Sequence, residues 1–203
     1  MFDATRNEIA ARMRRLMPGR IARRFVRQQD GAAAVEFALV AAPFLALTFA
    51  ILETAFVFFA SQTLEAAVSD SARLMLTGTA QSTDYATGLP KVGGYNQTDF
   101  KNAVCAHIYG LFDCANITVN VQTYASFSPI NTALPITNGQ FNTTNIGYNP
   151  GQNPGDIVVV QLYYQWPTFV PNLGNNLSNL NNGKRLLAAT AVFRNEPFGG
   201  ASC

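Results

Sequence analysis

Two acids interrupt an otherwise apolar run. Between Gly31 and Ala60 the chain reads GAAAVEFALVAAPFLALTFAILETAFVFFA, and its only charged residues are Glu36 and Glu53. A carboxylate carried to the middle of a bilayer costs about 2.5–3.5 kcal/mol on insertion scales. Glu36 therefore calls for a partner, or for a place near the helix start from which its carboxylate reaches back to the interface. Glu53 lies roughly 25 Å further along a helix. The sequence leaves open an interfacial position for it or a contact with a neighbouring subunit.

Other residues with chemistry are few. Three cysteines occur, Cys105, Cys114 and Cys203. Cys105 and Cys114 flank the end of a short expected helix, and thiols outside the cytoplasm tend to oxidise. A local disulfide between them competes with a reading as two buried thiols. Cys203 is left to stay free, pair with another chain or compete for one of the others. His107 is the single histidine and falls among apolar neighbours on a predicted helix, a structural position. No Ser-His-Asp set, metal cluster, phosphate loop or carboxylate dyad stands out. Asp84, Asp99, Asp113 and Asp156 are scattered over turns and caps. The residues point away from an enzyme, and no cofactor or metal is expected.

The elements that must position these acids begin with a basic leader. Residues 1–30 hold eight arginines against Asp3, Glu8 and Asp30, a net charge of +5, while the remainder carries −3. A basic end beside a hydrophobic span is the positive-inside signature. It predicts a cytoplasmic N-terminus and an extracytoplasmic remainder. Topology explains the arginines without nucleic acid, for which they form no recognisable binding motif. Three segments follow: a leader over 1–31, a transmembrane helix over 32–60 and an extracytoplasmic domain over 61–203. The membrane helix is expected to run on to Leu76. Leu64, Ala67, Val68, Ala72 and Met75 keep an apolar stripe, and Gly78 offers a stop.

Beyond Gly78 the reading is of alternating loops and short elements. Residues 79–97 and 125–155 read as loops rich in Asn, Thr, Pro and Gly. Residues 99–111 read as a helix capped by Thr98 or Asp99. Strands are expected from Ile117 to Val121, from Ile157 to Trp166 and from Arg185 to Phe193. The connections are too poor in helix for parallel crossovers, so the strands should form an antiparallel sheet. The amphipathic half of the long helix would cover its apolar face. The expected class is α+β: a long N-terminal transmembrane-to-amphipathic helix packed on a small antiparallel sheet.

The stretch RRFVRQQDGAAAVEFALVAAPFLALTFAILETAFVFFASQTLEAAVSDSARLML, from Arg23 to Leu76, resembles the TadE-like proteins. These are pseudopilins of the tight-adherence, or Flp-type, pilus machinery, a branch of the type IV pilus class. The family pattern is a basic leader, a glycine, small residues, a Val-Glu-Phe core and a hydrophobic helix that turns amphipathic. Residues 77–192 match it only in outline. The ending from Phe193 to Phe198 also resembles tails of this family. The resemblance implies a pilin-like fold and cleavage by prepilin peptidase, a membrane aspartic protease, between Gly31 and Ala32. Glu36 and Phe37 then become the fifth and sixth residues of the mature chain. In pilins a glutamate at that place is thought to meet the free amine of a neighbouring subunit. Implied partners are the peptidase, other pseudopilins, the major pilin, the inner-membrane platform and membrane lipid. The implied location is a single pass through a bacterial inner membrane with the C-terminal domain in the periplasm.

The implied function is that of a minor pseudopilin assisting pilus assembly. The rival is a membrane-anchored surface adhesin, or an unprocessed anchor, whose Asn-rich loops with Tyr and Trp bind glycans. A secretory signal peptide fits poorly, because the apolar run exceeds the usual 7–15 residues.

Overall fold

The computed structural model describes residues 31–108, 110–169 and 176–197. Residues 1–30 of the basic leader, Phe198 and Cys203 lie outside them. The chain divides after Phe49 into two units. A single helix, α1 (Ala32–Leu76, 45 residues), supplies the described part of the first unit and opens the second.

In the first unit α1 is apolar on nearly every side. Val35, Phe37, Leu39, Val40, Phe44 and Leu47 are all exposed. A helix hydrophobic all round wants a bilayer or partner helices around it. Pro43 within it removes one backbone donor, which membrane helices tolerate. The Thr48 hydroxyl donates to the Phe44 carbonyl at 2.8 Å, so it carries no unsatisfied polar atom into an apolar setting.

In the second unit α1 buries one stripe: Glu53, Val57, Ala60, Leu64, Ala67, Val68, Ser71, Ala72 and Met75. The steps of three and four keep these residues on one face. Leu64, Val68 and Met75 are sealed from solvent, each contributing about 1.5–3 kcal/mol. The helix stops where glycine permits it. Gly78 takes φ +76°, the left-handed conformation that ends helices.

The stripe packs on a three-stranded antiparallel sheet built from β1 (Thr118–Tyr124), β4 (Ile157–Pro167) and β5 (Lys184–Arg194), in the order β1-β4-β5. Val119 and Val121 of β1, Val158, Val160, Leu162 and Trp166 of β4, and Leu187 and Ala189 of β5 form the face toward α1. The architecture is the α+β arrangement expected from the sequence.

Three local expectations are corrected. Helix α3 covers Gln97–Cys105 rather than 99–111, after a helical turn α2 (Thr79–Ser82) in the first loop. Its cap is Asn96, whose side chain accepts from the Asp99 N–H while the Asp99 side chain accepts from the Asn96 N–H. This reciprocal box satisfies two orphan donors at once, which neither Thr98 nor Asp99 alone achieves. His107 therefore sits beyond the helix, exposed.

The third correction concerns the segment 125–155, which is not only a loop. It contains a small hairpin, β2 (Ile136–Thr137) and β3 (Gln140–Phe141). Asn138 and Gly139 turn it with φ of 53° and 71°, the two left-handed residues that a type I′ turn demands. The hairpin covers the second face of the sheet. Ile136, Phe141 and Ile146 pack there with Tyr163, Leu180 and Leu186. Asn181 holds the turn by donating its backbone N–H to the Gly139 carbonyl and its Nδ2 to that of Asn138, both at 2.8 Å. Strand β4 is buried on both faces as a result.

Candidate processing and assembly site

Gly31 stands at the head of α1 in ordinary right-handed backbone space. A Cβ placed on it meets nothing within 4 Å. Gly94 is the opposite case: its φ is +59°, and a Cβ there collides with the backbone of Ala80 and Gln81. The fold of the described residues demands glycine at 94 and not at 31. Ala32 opens the helix one residue later.

Glu36 and Phe37 lie on the exposed surface of the first unit, with Phe37 74% exposed. Among the described residues Glu36 has neither a hydrogen bond nor an ion pair. It is a lone carboxylate on an apolar helix.

Glu53, the second acid of the run, has a different fate. It is 7% exposed, and its Oε1 accepts the backbone N–H of Phe169, just beyond the end of β4. The carboxylate ties α1 to that loop within one chain. A hydrogen bond to a charged group contributes about 1.5–3 kcal/mol. An intramolecular bond of this kind was not legible in the sequence, since the partner lies 116 positions away and offers only its backbone.

Cys105 and Cys114 are joined by a disulfide, with 5.8 Å between their Cα atoms. The short loop they close holds Ile108 and Phe112 in the core. The Phe112 ring packs edge-on against Tyr164 and Trp166, with centroids 4.9 and 5.8 Å away. Among the described residues no group of three or more His, Cys, Asp or Glu side chains comes close enough together to hold a metal ion.

These features define a class: a helix-led α+β protein whose helix is long and apolar enough to cross a membrane, compatible with a single-pass anchor. Over residues 31–73 the chain matches the family described as TadE-like protein. That family is a pilus-associated structural one and implies involvement in Tad/Flp pilus systems. No curated protein and no solved structure matches the chain.

Proposed function

We propose that this protein is a minor pseudopilin that helps assemble a Flp-type pilus after cleavage between Gly31 and Ala32 by a prepilin peptidase. Glu36 carries the reading. It is an exposed acid on an apolar helix with no partner among the described residues, and the proposed cut creates a cationic amine four residues before it. In a subunit array that amine meets the Glu36 carboxylate of a neighbour. At about 4 Å such a pair gains roughly 4 kcal/mol at an effective dielectric of 20 and about 1 kcal/mol in water. Desolvation offsets much of this, but a misdocked subunit bears the desolvation with no pairing in return. The pair thus acts on register. Phe37 and its apolar neighbours supply the lateral contact area.

Four further observations support the reading. Among the described residues nothing requires glycine at 31, which suits a residue read by a protease that needs a close backbone approach. The family match begins at that same residue. The arginines before it favour a cytoplasmic leader, and the disulfide favours an oxidising compartment for the globular unit. We accordingly take the membrane to be the bacterial inner membrane, with the C-terminal unit periplasmic. The partners are the peptidase, other pseudopilins, the major pilin and the inner-membrane platform.

Mass spectrometry of the protein from cells tests the first step. The expected mature N-terminus is Ala32, and Gly31→Ala should abolish processing. A chain that keeps its leader while pili form normally refutes cleavage as the mechanism. Glu36→Leu tests the second step: cutting and insertion should persist while piliation falls. Normal pili with Glu36→Leu would sink the pairing.

A further inference from the structure

The second face of the sheet carries a cavity of about 520 Å³ between β1, β4 and the segment running from Asn131 to Ile146. Ligand pockets usually fall between about 300 and 1,000 Å³. No described residue that lines it is charged.

Its polar floor is oriented by the backbone. The Gly147 N–H donates to Asn120 Oδ1 at 3.0 Å. A backbone N–H can only donate, so this bond fixes which end of the Asn120 amide is oxygen. Asn120 Nδ2 then donates to Gln161 Oε1 at 2.9 Å. Gln122 Nε2 donates to the same Asn120 Oδ1 at 3.1 Å, filling its second lone pair. Two consequences follow. Gln161 must turn its Nε2 away from Asn120, and Gln122 must turn its Oε1 away.

Gln161 is 5% exposed, and its Nε2 has no partner among the described residues. It is also not sealed from solvent, unlike the buried atoms of Ser71 or Asn195. Among the described residues, the lining of this uncharged cavity thus holds two uncommitted donors on Gln161, an uncommitted amide oxygen on Gln122 and the Tyr163 hydroxyl, with Leu134 and Ile136 on its wall. Burial, and secondarily the neighbouring Tyr124, holds the Tyr163 phenol above its usual range, so it remains a neutral hydroxyl.

We infer that this cavity binds a neutral oligosaccharide. A sugar hydroxyl donates and accepts at once, which suits a floor presenting both functions at fixed places. The apolar wall suits the C–H face of a pyranose. An apolar ligand would leave the Gln161 N–H groups unsatisfied. Anions and cations find no counter-charge there. An extended peptide commonly adds to a sheet edge, but Val121 of β1 already exchanges both backbone bonds with Gly147 and Asn149 at that edge. The inference goes beyond the assembly role and stands or falls without it.

The test uses the full chain in a sugar-free detergent, titrated calorimetrically with chitotriose, maltotriose, lactose and 3′-sialyllactose. At least one neutral probe should bind with Kd at or below about 1 mM. Chitotriose represents N-acetylated wall chains, and maltotriose and lactose represent plain glycans, so the preference separates the two sources. Gln161→Leu should weaken binding about tenfold. Gln122→Leu should do the same if Gln161→Leu fails to fold. Binding confined to sialyllactose, binding unchanged in the folded variant, or no neutral probe bound at 10 mM overturns the inference.

Discussion

Opening the Cys105–Cys114 bridge should cost the globular unit about 2.6 kcal/mol, because it closes a loop of only nine positions. This figure is the chain entropy that the link removes from the unfolded state at 25 °C, about 2.1 plus 1.5R ln n in entropy units. Packing adds to it. The loop carries Phe112 onto Tyr164 and Trp166, and such aromatic pairs contribute about 0.5–1.5 kcal/mol beyond their buried area. Against a typical total of 5–15 kcal/mol the loss is large. For a unit of this size it lowers the melting temperature by roughly 8–10 °C.

The double variant Cys105→Ser/Cys114→Ser, unfolded with denaturant in detergent, measures it. Trp166 is the only tryptophan and lies against Phe112, so its emission reports on the region in question. Reductant should bring the wild type to the same midpoint. A double variant within about 0.5 kcal/mol of the oxidised wild type refutes the estimate. Thiol labelling in living cells extends the test to topology. With the bridge closed, at most one of the three cysteines takes the label. Labelling of all three would deny both the disulfide and the oxidising location.

Two further outcomes follow from named contacts. Glu53→Ala should cost about 1.5–3 kcal/mol and speed exchange of the Phe169 amide roughly 10- to 150-fold. Glu53→Gln, which keeps an oxygen acceptor, should lie between it and wild type; an unchanged Phe169 exchange rate in Glu53→Ala would show that the bond contributes nothing. Gly94→Ala and Gly88→Ala share left-handed backbone and its cost of about 1–2 kcal/mol, but only Gly94 presses on backbone, that of Ala80 and Gln81. Gly94→Ala should therefore destabilise clearly more than Gly88→Ala, and equal unfolding midpoints would contradict that packing.

The long helix was legible because two independent signals agree along it. The apolar stripe from Leu64 to Met75 repeats at helical spacing, and Gly78 ends it. Strand β4 was legible because Val, Ile and Tyr crowd it, and β1 because apolar and polar residues alternate along it. The second face of the sheet was not. Asn120, Gln122 and Gln161 occupy alternate positions that read as solvent-facing, and the hairpin covering them has strands of two residues each. Asn138-Gly139 was a usable turn signal, submerged in a segment where Asn and Gly abound. Buried amides satisfied by one another leave no trace in a pattern of polar and apolar letters. The Glu53 bond is hidden for a related reason: its donor is a backbone group, and every residue but proline has one.

The two acids of the apolar run now separate on physical grounds. Both face the same cost of leaving water, and both sit on one helix whose neighbours are Ala, Phe, Leu and Val. Glu53 is buried and bonded within its own chain, so it has no need of another molecule. Glu36 is exposed and has no partner among the described residues, which leaves solvent, the interface or a second subunit as candidates to satisfy it. Solvent and interface suffice for an isolated protein in the membrane. They no longer suffice once apolar helices pack side by side and exclude water, because the carboxylate is then enclosed without a donor. Under the function proposed above, assembly through this helix calls for a donor delivered at the level of Glu36, and a chain cut after Gly31 would carry a cationic one four residues away.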